Sequence, residues 1–144
     1  MSRLIVLERR DFRRRYPGAA GIFDPEDFPG CAVVPRGMST RVRLHELGHG
    51  KLGHTRQDII NGMDLDEYID REVAADAYAN GILRREFTSG ALNNIIEQAI
   101  DAMEGPPDPN YCVLKAFRSL EKRHIKVSSS WRNQVRRGVK RVFG

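Results

Sequence analysis

The chain contains, at residues 39–53, the sequence STRVRLHELGHGKLG, with the motif His45-Glu46-Leu47-Gly48-His49 at its centre. Ser39 or Thr40 can cap a helix that runs to about Gly53. Residues four apart lie on one face of a helix, so the two imidazoles of the motif can bind one metal ion. The stretch therefore predicts a metal-binding helix.

Glu46 has a different role from the two histidines. It lies about 100° round the helix from His45, where its carboxylate can reach a water on the metal rather than the metal itself. A catalytic zinc ion also needs a third protein ligand and an open coordination position. The third ligand has to come from elsewhere in the chain.

A second predicted helix begins at Asp64 or Asp66 and extends to about Phe87. Glu72 and Asp76 lie four residues apart in the middle of the face that should be buried. Burying an unpaired carboxylate costs on the order of several kcal/mol, so both need a cation or strong hydrogen-bond donors. The apolar positions of the same face are Leu65, Ile69, Ala79 and Leu83.

A metal ion bound by the two histidines of the motif helix would offset the cost of burying both carboxylates. Glu72 is then the third ligand, and Asp76 orients a ligand histidine by accepting its other ring N–H. The alternative places both carboxylates on a solvent-exposed face, paired with Arg71 or Arg84. The apolar face argues against that alternative.

Two stretches resemble one family of known enzymes. HELGHGKLGHT at residues 45–55 closely resembles the signature of the CAAX prenyl-protein and heat-shock membrane metalloproteases. REVAADAYA at residues 71–79 resembles that family's second motif, which has Glu, three residues, Asp, an aromatic residue and Ala. The phage-repressor and radiation-response regulatory metallopeptidases, and gluzincins generally, share the layout more loosely. The resemblance covers roughly residues 38–87.

The resemblance implies a zincin-like fold and one Zn²⁺ per chain, bound by His45, His49 and Glu72. It also implies that Glu46 is the general base and that Asp76 supports a ligand. The membrane metalloproteases set this domain among membrane helices, and this chain has no apolar run of that length. A prenylated or membrane-embedded substrate is therefore not expected.

His54 is a rival third ligand. It lies nine residues after His45, whereas metzincins place their third histidine ten residues after the first, where Thr55 stands here. Metzincins also have glycine where Leu52 stands. The spacing favours a helix-end or surface histidine over a ligand.

Peptide hydrolysis at such a site also needs a donor to the oxyanion of the tetrahedral intermediate. The sequence does not choose among four chemically suitable side chains, although Tyr78 is better explained as a core aromatic. An extended peptide could reach the metal by pairing with the edge of a strand at Cys31–Pro35. The four candidates are Tyr78, Tyr111, His124 and Arg84.

The predicted fold class is α+β, mostly helical with a small N-terminal sheet whose edge strand borders the active-site helix. Residues 3–7 and 31–35 are short, β-branched and bounded by turn formers, which predicts two strands. Further helices are predicted from Ser89 and around residues 113–120. Residues 1–126 are interpreted as a minimal zincin-like metallopeptidase domain.

Residues 127–144 are predicted to form a basic amphipathic C-terminal helix, packed on the same domain. One stripe of this helix is apolar, and arginines and lysines flank it. Such a helix can instead bind the surface of an anionic membrane, a partner protein or the phosphates of a nucleic acid. The stripe consists of Trp131, Val135, Val139 and Val142.

Charge is distributed unevenly along the chain. The net charge of +5 combines +4 over residues 1–15, −8 over residues 16–114 and +9 over residues 115–144. Basic ends favour a polyanion or protein partner, unless they fold back on the acidic middle. No signal sequence is recognisable, and Cys31 and Cys112 do not form a closely spaced pair. A soluble, cytoplasmic protein is therefore expected.

These observations favour a soluble zinc-dependent endopeptidase that acts on a protein or peptide substrate. The alternative is a metal-stabilised binding or regulatory protein for nucleic acid or a protein partner, without turnover. A third interpretation is a proteolytically silent relative whose cleft is covered by its own C-terminal segment.

Overall fold

A computed structural model of the protein describes residues 3–102, 108–126, 130 and 133–135. The predicted fold class is confirmed, because the described chain is mostly helical with a small N-terminal sheet. The elements are β1 (Arg3–Leu7), α1 (Arg9–Arg15), β2 (Ile22–Phe23), β3 (Cys31–Pro35), α2 (Thr40–Lys51), α3 (Arg56–Ile60), α4 (Leu65–Leu83), α5 (Ser89–Ala102) and α6 (Pro109–Lys122).

The contacts divide the chain into two compact units. The first contains residues 1–63 and 74–85, and the second contains residues 64–73 and 86–144. Helix α4 runs unbroken across the division at residues 73 and 74. Most of the helix predicted at 127–144 lies outside the described residues, including Trp131, Val139 and Val142, whereas Val135 is buried.

The sheet of the first unit has the strand order β1-β3-β2. Strand β1 pairs in parallel with β3, from Arg3 opposite Cys31 to Leu7 opposite Pro35. Strand β2 pairs antiparallel on the other side of β3. The prediction that Cys31–Pro35 forms a free edge is therefore wrong, because the two-residue strand β2 covers that side. Both edge strands, β1 and β2, lie close to α2.

Helix α2 forms as its sequence predicts. The Ser39 hydroxyl accepts a hydrogen bond from the amide of Val42, which caps the first turn. At the other end Gly53 adopts a positive φ of 74°. The amide of His54 then donates to the carbonyl of His49 (2.8 Å), and the amide of Gly53 donates to that of Gly50. These two bonds form a Schellman motif, which ends the helix and turns the chain back towards it.

Helix α4 also begins as predicted, since the Asp64 carboxylate accepts a hydrogen bond from the amide of Glu67 (2.8 Å). It ends earlier than Phe87, because Arg84 adopts a left-handed conformation with φ of 54°. Within the first unit α4 passes close to α2 at Gly48. A Cβ built on Gly48 would lie 3.0 Å from Cδ1 of Tyr78 and 3.3 Å from the Ala75 carbonyl oxygen.

The second unit is built on an apolar core. The helices predicted from Ser89 and around residues 113–120 are confirmed as α5 and α6, and their apolar positions at helical spacing are buried. An ion pair between Asp70 and Arg123 also joins α4 to the end of α6 (2.6 Å). The buried residues of this core are Ile69, Val73, Leu92, Ile95, Ile96, Ala99, Cys112, Val113, Ala116, Phe117, Leu120 and Val135.

Candidate metal centre

The two histidines of the motif face each other on α2. The Nε2 atoms of His45 and His49 are 3.2 Å apart, and the two rings are nearly perpendicular, at 86°. His49 is buried, with 8% of its surface exposed. Two ring nitrogens at this distance can both bind one small cation, as the i, i+4 spacing predicts.

Glu72 joins the two histidines. One carboxylate oxygen of Glu72 and one ring nitrogen from each of His45 and His49 all lie within 4.8 Å of one another. The continuous helix α4 carries Glu72 one turn before Asp76. The structure thus brings together the three residues that the sequence marks as candidate ligands.

Asp76 contacts the ring nitrogen of His45 that does not face His49. Its Oδ1 atom lies 2.6 Å from Nδ1 of His45 and accepts a second hydrogen bond from Nη1 of Arg41 (2.9 Å). Asp76 is only 3% exposed, so both partners compensate the cost of burying its charge. With Nδ1 engaged by Asp76, the other ring nitrogen of His45 is directed towards His49.

Sequence reasoning missed Arg41. It lies four residues before His45, on the same face of α2 as the two histidines, and this spacing is the signal that could have identified it. Nothing in the spacing alone pairs Arg41 with Asp76, because that contact depends on how α2 and α4 cross.

Glu46 is held close to the two histidines. It is 8% exposed, and its Oε1 atom lies 3.9 Å from Nε2 of His45. The loop before β2 leaves room for it, since a Cβ built on Gly21 would lie 3.0 Å from Cγ of Glu46. The structure therefore places a buried carboxylate beside the two candidate ligands of α2.

His54 contacts the far side of His49. The Nδ1 atoms of the two rings are 2.9 Å apart, whereas Nε2 of His49 faces His45. Among the described residues, the only group able to bind a metal ion consists of His45, His49 and Glu72, and His54 is not part of it.

The edge strand β2 also reaches this site, since the Phe23 ring stacks on His49 with centroids 6.3 Å apart.

The four oxyanion candidates lie in different settings. Tyr78 is half-buried and packs on Gly48 of the motif helix. Arg84 is exposed at the end of α4. In the second unit, the Tyr111 hydroxyl donates to Asp66 (2.8 Å). His124 is exposed just after α6.

The donor set is suited to a divalent transition metal. Two imidazole nitrogens and one carboxylate oxygen form a set that zinc accepts with one coordination position left open, and other first-row divalent ions accept the same ligand types. The Nε2 atoms of His45 and His49 already face each other, and the buried Asp76 carboxylate contacts the other ring nitrogen of His45. The residues present therefore fit a metal ion.

Comparisons with known proteins add nothing to this geometry: family models, curated proteins and solved structures yielded no match to the chain. Over the described residues, every helix is too short or too polar to cross a membrane.

Proposed function

We propose that the chain is a zinc-dependent endopeptidase of the gluzincin type, soluble and cytoplasmic, that hydrolyses peptide bonds in a protein or peptide substrate. His45, His49 and Glu72 would hold one Zn²⁺ per chain. The observation that carries the proposal is the convergence of these three ligand atoms within 4.8 Å, with buried Asp76 engaging the remaining nitrogen of His45. The motif resemblance supports the same assignment.

Zinc in such a site lowers the pKa of a water to about 7 and polarises a carbonyl. The Glu46 carboxylate would take the proton of the attacking water and pass it to the leaving amine. By accepting a hydrogen bond from Nδ1 of His45, Asp76 would leave Nε2 of that ring to bind the metal. A structural metal site has no need of Glu46, which is why a buried carboxylate at that position favours turnover.

The substrate would approach along β2. Because β3 is covered on both sides, the outer edge of Ile22–Phe23 replaces Cys31–Pro35 as the place where an extended peptide could pair. The Phe23 ring stacks on His49, so this edge lies next to the candidate ligands. Tyr78 packs on the motif helix and is the first oxyanion candidate to test, ahead of Arg84, Tyr111 and His124.

The test is a proteolysis screen that compares the wild-type protein with Glu46→Gln. Zinc content is measured on both proteins, since the substitution removes the base and leaves the ligands intact. We expect cleavage by the wild type, and loss of cleavage in a variant that still binds zinc. Equal cleavage by both proteins would show that the activity comes from a contaminant or from a different mechanism.

One observation favours the binding-protein alternative. Helix α1 carries five arginines in seven residues, and Arg10 and Arg13 are exposed three residues apart on one side of it. Such a helix can contact phosphates or an acidic partner. Polyanion binding that weakens with salt and survives Glu46→Gln, in a protein that cleaves nothing, would favour this alternative over the peptidase.

A further inference from the structure

His54 occupies a defined place beside the candidate ligands. The left-handed conformation of Gly53 and the hydrogen bond from the His54 amide to the His49 carbonyl fold the chain back over the last turn of α2. As a result Nδ1 of His54 lies 2.9 Å from Nδ1 of His49.

The segment that follows is held in place as well. The Arg56 amide donates to Oδ2 of Asp24 (2.8 Å), and Thr55 caps helix α3 by accepting a hydrogen bond from the Asp58 amide. His54 therefore sits between two anchored points of the chain, rather than at the tip of a free loop.

The chemistry of a metal-binding imidazole explains what this contact can do. A histidine that binds a metal through Nε2 must carry its proton on Nδ1, and a hydrogen-bond acceptor at Nδ1 selects that tautomer and orients the ring. Asp76 is this acceptor for His45. For His49, the atom in the corresponding position is Nδ1 of His54.

We propose that His54 is a positioning residue that accepts the Nδ1–H of His49, with its own proton on Nε2, and so presents Nε2 of His49 to the metal. This inference rests on the proposed metal site. It gives His54 a role different from that of a third ligand or of a surface histidine.

Three substitutions at one position test this role. Asparagine places its side-chain oxygen at the same number of bonds from Cα as Nδ1 of histidine, whereas glutamine places its oxygen at the level of Nε2. We expect His54→Ala and His54→Gln to weaken zinc binding by about 10–100-fold, the usual effect of losing a partner of a ligand histidine. We expect His54→Asn to restore affinity to within about threefold of the wild type.

Zinc dissociation constants are measured by competition with a chelator on the full-length chain. Lys51→Ala, an exposed change in the last turn of α2, is the matched control and should bind zinc as the wild type does. Circular dichroism of each metal-free variant establishes that it is folded.

The outcomes separate this inference from the proposed function. Wild-type protein that binds no zinc overturns the metal site, and this inference with it. Zinc binding by the wild type with unchanged affinity in a folded His54→Ala overturns the role of His54 alone. Equal losses in all three His54 variants would also overturn it, because a purely structural histidine would not distinguish Asn from Gln.

Discussion

Substituting Gly48 with alanine tests the close packing of α2 on α4, on which the candidate metal centre depends. The added Cβ would lie 3.0 Å from Cδ1 and 3.3 Å from Cβ of Tyr78, and 3.3 Å from the carbonyl oxygen of Ala75. Carbon atoms in favourable contact are about 3.5–4.0 Å apart. Ala75 contributes a backbone atom of a helix, so the helices themselves have to move.

Two opposing terms set the size of the effect. Forcing an extra methyl group into a packed site costs about 1–3 kcal/mol. Alanine inside a helix is favoured over glycine by about 1 kcal/mol, which offsets part of that cost. We therefore expect Gly48→Ala to lower the free energy of unfolding by up to about 2 kcal/mol.

Gly81→Ala is the matched control. Gly81 lies in α4, and a Cβ built on it would have no atom within 4 Å. This variant receives only the helix-propensity gain and should raise the free energy of unfolding by about 0.5–1 kcal/mol. The difference between the two variants then measures the steric term, expected at about 1–3 kcal/mol.

The assay is urea unfolding of both metal-free variants and the wild type, followed by circular dichroism. Gly48→Ala should also bind zinc more weakly, because Ala75 adjoins Asp76, which contacts the candidate ligand His45. Equal stabilisation by the two alanine substitutions would refute the reasoning, since it would mean that α2 and α4 are not packed this closely.

Three further predictions concern single side chains. Asp76→Ala should weaken zinc binding by about 10–100-fold in chelator competition, and unchanged affinity would show that Asp76 does not orient a ligand. The hydrogen bond from Arg123 holds the pKa of Asp70 below its ordinary value. The ion pair therefore stabilises the fold above about pH 4 and loses this effect as the pH falls through the lowered pKa. Asp70→Asn should accordingly be less stable than the wild type in urea unfolding at pH 7, and a deficit that persists undiminished at pH 2 would contradict this assignment. Burial raises the pKa of the Cys112 thiol. A thiol reagent should therefore label the half-buried Cys31 first, and Cys112 only when the protein unfolds. Equal labelling rates of the two cysteines in the folded protein would argue against the buried position of Cys112.

The parts of the fold that follow from local patterns were predictable. Strands at residues 3–7 and 31–35 are marked by β-branched residues between turn formers, and their bounds agree with the structure. Helix α2 is marked by its cap at Ser39 and its end near Gly53, because both signals depend only on neighbouring residues.

The order of the strands was not predictable. Ile22–Phe23 is too short to show the alternation of a strand, so the sequence contains no sign that β3 has a second partner. That partner converts β3 from an edge into the centre of the sheet. It also moves the expected peptide-binding edge to β2.

The candidate ligands were predictable, but the contacts of two side chains beside them were not. Glu72 and Asp76 stand out because carboxylates on a buried helix face need compensation. Arg41 has only its four-residue spacing from His45 as a signal, and the sequence marks His54 as a histidine near the motif without indicating its contact with His49. Their contacts depend on how α2 crosses α4 and on the turn at Gly53.

The most direct test of the central claim is the zinc content of untagged, full-length protein after dialysis against micromolar zinc, measured by elemental analysis. The account predicts about one zinc ion per folded chain. A folded protein that retains no zinc under these conditions would contradict the claim that His45, His49 and Glu72 form a metal centre.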